Sequence, residues 1–193
     1  MNDPLPVLSW CGSNKSADII FPTWDQTKNT RQALYRITAD ITYVASRAGE
    51  APKWEEKWEK ALFRGRDSNR ARLTLAELSH KDKSGRLDAG ITNYNFRGID
   101  EDKWGPKADY VALQDMAKWK YNLLIDGTVA AYRAPYLFQL GSLILKQNSD
   151  FYEWWYGDIE DGKHYVEIKV STSFCEFQKP EIYKKRICTE SIG

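Results

Sequence analysis

Short apolar segments alternate along the chain with segments whose apolar residues recur at helical spacing. Six apolar segments predict strands: Pro6–Trp10, Lys60–Phe63, Leu87–Thr92, Leu123–Asp126, Ser142–Lys146 and His164–Lys169. Five intervening segments predict helices: Thr30–Ala48, Asn69–Lys81, Met116–Tyr121, Val129–Leu140 and Phe151–Tyr156. Strands that alternate with helices are typical of βαβ units, so the pattern predicts an α/β fold with a parallel sheet covered by helices.

Two of the predicted strands end in turns that contain a glycine and contain, or are followed by, arginine. The first turn reads Arg-Gly-Arg-Asp-Ser over residues 64–68, and the second reads Asp-Gly-Thr over residues 126–128. The carboxyl ends of parallel strands meet at one edge of a sheet, where ligands of open parallel sheets bind. We therefore predict that the two turns lie side by side and face one diphosphate. A solvated arginine cluster is the alternative for the first turn.

The second turn carries the stronger prediction of a phosphate site. Val129–Leu140 is predicted to be a helix, and the first backbone N–H groups of a helix have no partners within it and hold anions. An anion would then lie over Gly127 and Thr128, and Arg133 would add charged donors about a turn and a half into the helix. An ordinary strand, turn and helix with Thr128 as the N-cap is the alternative.

Composition limits the classes of function. The 193-residue chain has 28 Lys and Arg against 27 Asp and Glu, a net charge of +1, so no overall field attracts nucleic acid or an anionic membrane. A nucleic-acid site built on Arg64, Arg66, Arg70 and Arg72 is disfavoured for this reason. No window reaches the length of a membrane span, and the first residues lack the pattern of a secretory leader.

Several common motifs are missing from the sequence. The three cysteines, Cys11, Cys175 and Cys188, have neither metal-like spacing nor an even number that would indicate a disulfide framework. Neither turn is a P-loop or a dinucleotide fingerprint. Asp100-Glu101-Asp102 imitates a metal-binding DxD motif, but it lies in a charged segment of the predicted loop Asn93–Lys107, and we expect a solvated loop there and no metal site.

Five segments, in order along the chain, carry a resemblance to a known family: Pro6–Ser13, Phe63–Ser68, Asp126–Leu137, Leu145–Gln147 and Lys163–Lys169. They resemble the CAP10-like family of protein O-glucosyltransferases, and in particular the branch whose members usually end in a KDEL-type endoplasmic-reticulum retention signal.

The resemblance implies a GT-B glycosyltransferase with two Rossmann-like lobes, of which this chain would hold an incomplete version. It implies inverting transfer of glucose, or xylose in related members, from a UDP-sugar to a serine hydroxyl of an EGF-like repeat. The partners would be the UDP-sugar and an EGF-like repeat protein, and the location would be the endoplasmic-reticulum lumen. No metal or other cofactor is expected, since arginines and backbone amides would neutralise the leaving diphosphate.

The resemblance also assigns donor-binding residues by position. Arg72 and Arg133 match the arginines that end the two turn motifs, and Arg66 takes the place of a serine that contacts UDP-glucose in other branches. The segment that would wrap the nucleotide consists of Gly127, Thr128, Val129, Ala130, Ala131 and Tyr132. Ser9, Trp10 and Pro22–Trp24 match segments of the acceptor-facing lobe.

The two ends of the chain depart from the family. The family's catalytic aspartate is expected upstream of Met1, so no catalytic residue is assigned, and Asp3 lacks the aromatic-proline context of that base. The predicted organisation is a remnant of the acceptor-side lobe over residues 1–50, a UDP-sugar donor lobe over 51–169 and a divergent tail over 170–193. A fragment that binds UDP-sugar or acceptor without catalysis is therefore the alternative to an active enzyme.

Overall fold

Five parallel strands form the main sheet of the protein. The computed structural model describes residues 7–23, 49–96 and 98–170. The strands of the main sheet, in chain order, are β4 (Trp58–Arg66), β5 (Leu87–Asn93), β6 (Trp119–Leu124), β7 (Leu143–Gln147) and β9 (Val166–Ile168). Their spatial order is β5-β4-β6-β7-β9, and every neighbouring pair is parallel, which confirms the predicted α/β fold with a parallel sheet.

Four very short strands form two further pairs. β1 (Leu8–Ser9) runs parallel to β3 (Ile19–Ile20), and β2 (Gly12–Ser13) runs antiparallel to β8 (Phe151–Tyr152). The second pair joins the start of the chain to the segment that follows β7.

Helices cover the sheet and connect its strands. Within residues 7–23, 49–96 and 98–170, the longest helix is α1 (Arg70–Lys81), which begins at the N-cap Asn69 shortly after β4. The shorter helices of these residues are α2 (Glu101–Trp104) and α3 (Ala134–Leu137). Single 3₁₀ turns lie at Trp54–Glu56, Gln114–Lys118 and Tyr156–Asp158.

The strands of the sheet bury alternate residues in two hydrophobic clusters, one on each face. On β4, Phe63 packs with Leu73 and Leu75 of α1, whereas Leu62 packs in the other cluster with Leu137 of α3. β6 and β7 alternate in the same way. Because both faces are covered, the strands are apolar runs with little polar alternation, as expected for a parallel sheet.

Two sequence predictions are wrong around β4 and β6. β4 extends to Arg66, so residues 64–66 belong to the strand and pair with β5 as far as Asn93, with an irregularity after Gly65. The helix predicted over Met116–Tyr121 is wrong in its second half, because a 3₁₀ helix ends at Lys118 and Trp119 begins β6, where it pairs with Trp58. Bulky aromatic residues pack well on a pleated surface, and this preference outweighs the helical spacing.

Two predicted helices are also largely wrong. Of Val129–Leu140, only Ala134–Leu137 is α-helical, and Pro135 lies in its first turn, where a missing N–H costs nothing. Phe151–Tyr156 begins as β8, because Phe151 pairs with Ser13 of β2. The predicted loop Asn93–Lys107 contains α2, and the predicted helix Thr30–Ala48 lies outside the described residues.

Among the residues described, no helix combines the length and apolar character needed to cross a membrane.

A buried lysine connects the starts of three strands by hydrogen bonds. Lys57, directly before β4, is 6% exposed. Its Nζ donates to the carbonyl of Ala117 at 2.5 Å, to the carbonyl of Leu140 at 3.1 Å and to Ser142 Oγ at 3.3 Å. Ala117 precedes β6, and the other two acceptors precede β7. Burial lowers the pKa of Lys57, since the charged ammonium is removed from water.

We expect Lys57→Met to lower the free energy of unfolding by about 1–3 kcal/mol, because buried acceptors lose their donor. Urea denaturation measures this. Lys60→Met is the matched control, since Lys60 is an exposed residue of β4, and its effect should stay within about 0.5 kcal/mol. Equal losses in the two variants would contradict a specific role for Lys57.

Candidate functional site

A pocket of about 440 Å³ opens at the carboxyl ends of β4 and β6. Its lining consists of Trp10, Arg66, Ser68, Arg72, Phe96, Gly127, Thr128, Val129, Ala130, Ala131, Tyr132 and Arg133. All the residues that the sequence predicts to bind a donor are in this lining. That these residues contact a UDP-sugar stays a prediction.

The pocket is built by the two turns that the sequence singles out. β4 and β6 are neighbours in the parallel sheet, so the chain leaves both strands at the same edge. The predicted side-by-side placement of the turns is therefore confirmed.

Arg72 connects these two turns through four hydrogen bonds. It is a residue of α1 and only 7% exposed. Its Nε donates to the carbonyl of Asp126 at 2.7 Å and its Nη2 to the carbonyl of Ile125 at 3.0 Å. Its Nη1 donates to the carbonyl of Arg66 at 3.3 Å and to Ser68 Oγ at 3.2 Å. Most of its donors therefore hold the backbone, which leaves little of the guanidinium for a ligand.

Arg133 lies beside Arg72 in the pocket lining. Its Nη1 donates to the carbonyl of Arg64 on β4. The guanidinium carbon of Arg133 lies 5.9 Å from the centre of the Phe63 ring, and that of Arg72 lies 5.5 Å from the same centre. One aromatic ring thus supports two cations, each through a cation–π contact.

The site is electropositive. None of the residues that line the pocket is a carboxylate. Burial and the charge of Arg133 lower the pKa of Arg72 to about 10, and the nearby Asp126 opposes this shift. Burial also lowers the pKa of Arg133. Two partly desolvated guanidinium groups without a carboxylate in the lining favour an anionic ligand.

Glycine is required at two places for this close approach. A Cβ added to Gly65 would lie 2.8 Å from the Phe63 ring and 3.2 Å from Arg72 Nη1. A Cβ added to Gly127 would lie 3.2 Å from Arg72 Nη2. All three distances are shorter than ordinary van der Waals separations. Glycine at positions 65 and 127 therefore leaves room for the guanidinium of Arg72.

The predicted helix N-terminus at Thr128 is wrong. Residues 127–130 form a bend, and α3 starts only at Ala134. Thr128 is therefore not an N-cap, and no helix starting at this turn supplies a dipole. α1 begins after the other turn, and α3 begins directly after its N-cap Arg133, which lines the pocket. The pocket nevertheless contains Thr128, as a residue of a non-helical loop.

Aromatic side chains form part of the rim. The rings of Trp10 and Tyr132 meet edge to face with centroids 5.6 Å apart. Phe96 is 62% exposed and lies on the loop after β5. The buried carboxylate of Asp67 accepts the backbone N–H groups of Asn95, at 2.8 Å, and of Phe96, and so holds that loop in place.

Sequence reasoning missed several of these residues. Ser68 belongs to the turn over residues 64–68, and this is the signal that points to it, whereas the resemblance assigns Trp10 to the acceptor-facing lobe. Phe96 lies in a segment predicted only as a loop, and no local pattern singles it out.

Other candidate residues have different surroundings. Arg64 pairs with Asp88 at 2.6 Å and does not join an arginine cluster with Arg66. Asp100 accepts the backbone N–H of Lys103 and is the N-cap of α2, which gives the acidic triplet a structural role. Cys11 is buried with a free thiol; Asp3, Cys175 and Cys188 lie outside the described residues.

Comparison with known proteins identifies a family and several relatives. The model of glycosyl transferase family 90 matches residues 1–182. Protein O-glucosyltransferase 3 of Rattus norvegicus is 48% identical over 170 residues, which are 88% of this chain and 33% of that protein. Protein O-glucosyltransferase 2 of Danio rerio is 40% identical over 171 residues, 89% of this chain and 34% of that protein.

A more distant relative is the O-glucosyltransferase rumi homolog of Aedes aegypti, which is 29% identical over 189 residues, 92% of this chain and 45% of that protein. The chain spans about a third of the length of the two protein O-glucosyltransferases. The matches confirm the resemblance to the CAP10-like family.

We expect Gly65→Ala to lower the free energy of unfolding by about 1–3 kcal/mol, because the new methyl group overlaps the ring of Phe63 and displaces Arg72. Urea denaturation measures the loss. Gly157→Ala is the control, because nothing lies within 4 Å of a Cβ added to Gly157. A neutral Gly65→Ala would contradict the close packing of Arg72 on Gly65.

Proposed function

The chain belongs to glycosyl transferase family 90, and from this membership and the chemistry of the pocket we propose that it binds a UDP-sugar for transfer to protein. The proposed reaction moves glucose, or xylose, to a serine hydroxyl of an EGF-like repeat with inversion at the sugar carbon. The arrangement would be of GT-B type, with the main sheet as the donor lobe.

One observation carries this proposal: the pocket at the strand ends combines three arginines with backbone and aromatic groups, and no carboxylate lines it. A nucleoside diphosphate is the ligand class that fits, since its phosphates need cationic donors and its base and ribose need flat and polar surfaces. Arg133 supplies charge in the pocket, while Trp10, Phe96 and Tyr132 supply aromatic rings.

The pocket can assist departure of the nucleotide without a metal. When the bond to the sugar breaks, negative charge develops on the diphosphate, and fixed guanidinium groups stabilise that charge more in the transition state than in the ground state. Arg66, which is exposed on the lining, adds a third positive group that can approach a phosphate.

Activation of the acceptor requires a base that the pocket lining lacks. An inverting transfer needs a carboxylate within hydrogen-bond reach of the serine hydroxyl, and this step typically contributes a factor of about 10² to 10⁴. The lining therefore supports the donor half of the reaction most directly, and binding of UDP-sugar without catalysis is the second candidate for the chain by itself.

The relatives' names guide the acceptor part of the proposal. Several are called protein O-glucosyltransferases, which names a protein as acceptor and glucose as the transferred sugar for those proteins. For this chain, the EGF-like repeat and the lumen of the endoplasmic reticulum are proposals that rest on family membership.

We expect the chain to bind UDP and UDP-glucose, and Arg133→Ala to weaken UDP binding by about 1.5–3 kcal/mol, because a charge-assisted hydrogen bond to phosphate is lost. Isothermal titration calorimetry measures both affinities. Arg70→Ala is the matched control, since Arg70 is exposed on α1 and does not line the pocket. Equal affinity in wild type and Arg133→Ala would remove Arg133 from the donor site.

The affinity for UDP-glucose should stay unchanged when EDTA replaces Mg²⁺ or Mn²⁺ in the buffer, because the arginines supply the positive charge. The same titration, with and without chelator, tests this. A loss of binding in EDTA that Mn²⁺ restores would show that a metal bridges the diphosphate to the protein.

A further inference from the structure

Asn69 makes two hydrogen bonds with two different parts of its side chain. Its Oδ1 accepts the backbone N–H of Ala71 at 2.9 Å and so caps α1. Its Nδ2 donates to the carbonyl of Gly127 at 3.0 Å, across 58 positions of sequence. Asn69 itself does not line the pocket, whereas Gly127 does.

The hydrogen bond from Asn69 to the Gly127 carbonyl is one of three that side chains of the α1 segment donate to consecutive backbone carbonyls. The carbonyl of Ile125 accepts from Arg72 Nη2, the next carbonyl accepts from Arg72 Nε, and the carbonyl of Gly127 accepts from Asn69. Three consecutive carbonyls at the end of β6 are thus held by side chains from the start of α1. Arg72 holds the first two, and Asn69 holds the one nearest the non-helical loop.

Holding the Gly127 carbonyl fixes the direction of the next amide. In a trans peptide the C=O of one residue and the N–H of the next lie in one plane and point in opposite directions. Since the Gly127 carbonyl points to Asn69, the Thr128 N–H points away from Asn69. Thr128 lines the pocket, so this amide is where a backbone contact to an anion would form.

We propose that Asn69 is a positioning residue for the donor, whose amide nitrogen orients the Gly127–Thr128 peptide toward the bound diphosphate while its amide oxygen independently caps α1. The inference rests on the proposed function, because it assumes that the pocket binds UDP. The Asn69 side chain thus has two roles, the cap of α1 and the hydrogen bond to the Gly127 carbonyl, and substitutions can test them separately.

Asn69→Ser removes one role and keeps the other. Serine is about as good an N-cap as asparagine, but it has no amide nitrogen to reach the Gly127 carbonyl. Asn69→Ala removes both roles. Asn148→Ser is the matched control, since Asn148 Nδ2 donates to Glu167 at an exposed site outside the pocket lining.

The experiment measures the melting temperature and the dissociation constant for UDP of each variant of the chain. We expect Asn69→Ser, which keeps the cap, to melt at a higher temperature than Asn69→Ala and yet to bind UDP about three- to tenfold more weakly than wild type, as for the loss of one hydrogen bond. Asn69→Ala should show the same loss of affinity together with a lower melting temperature. Asn148→Ser should match wild type in both.

Wild-type affinity in Asn69→Ser would overturn the inference and leave the proposed function standing. A fall in affinity only for Asn69→Ala, in proportion to its loss of stability, would also overturn it, because the cap alone would then be responsible. No binding of UDP by the folded wild-type chain would overturn the proposed function itself, and this inference with it.

Discussion

The arrangement of the site depends on the hydrogen bonds from Arg72 to the carbonyls at the end of β6. The same guanidinium reaches the carbonyl of Arg66, so one buried cation joins the ends of two neighbouring strands. Gly65 and Gly127 leave space for the guanidinium of Arg72, and the ring of Phe63 makes a cation–π contact with it. The interior thus holds a positive charge whose partners are mainly neutral carbonyls, and this leaves the pocket with a field that favours an anion.

The parallel sheet could be predicted because its strands are short apolar runs between polar turns. The side-by-side placement of the two segments could be predicted too, since both follow apolar runs that become neighbouring parallel strands, β4 and β6. Family resemblance then added Arg72 and Arg133, whose residue type alone is also compatible with a solvated surface. Comparison with relatives confirms the family, while the roles of these arginines toward a donor remain a proposal.

Other features could not be predicted because they depend on distant contacts. Trp119 follows a helical pattern but pairs with Trp58 in the sheet, and Phe151 pairs with Ser13 at the start of the chain. The non-helical loop after Asp126 is held by Asn69 and Arg72, which no local pattern around Thr128 reveals. The predicted phosphate-binding turn is therefore a loop tethered by side chains from α1, not the first turn of a helix.

The tethered loop and Arg133 together form the proposed diphosphate site. A crystal structure of the chain with UDP would show whether they do. We predict that the diphosphate lies within hydrogen-bond distance of Arg133 and of the Thr128 N–H, with the uracil ring near the aromatic rim. UDP bound at another surface, or bound with its phosphates turned away from Arg133 toward solvent, would contradict it.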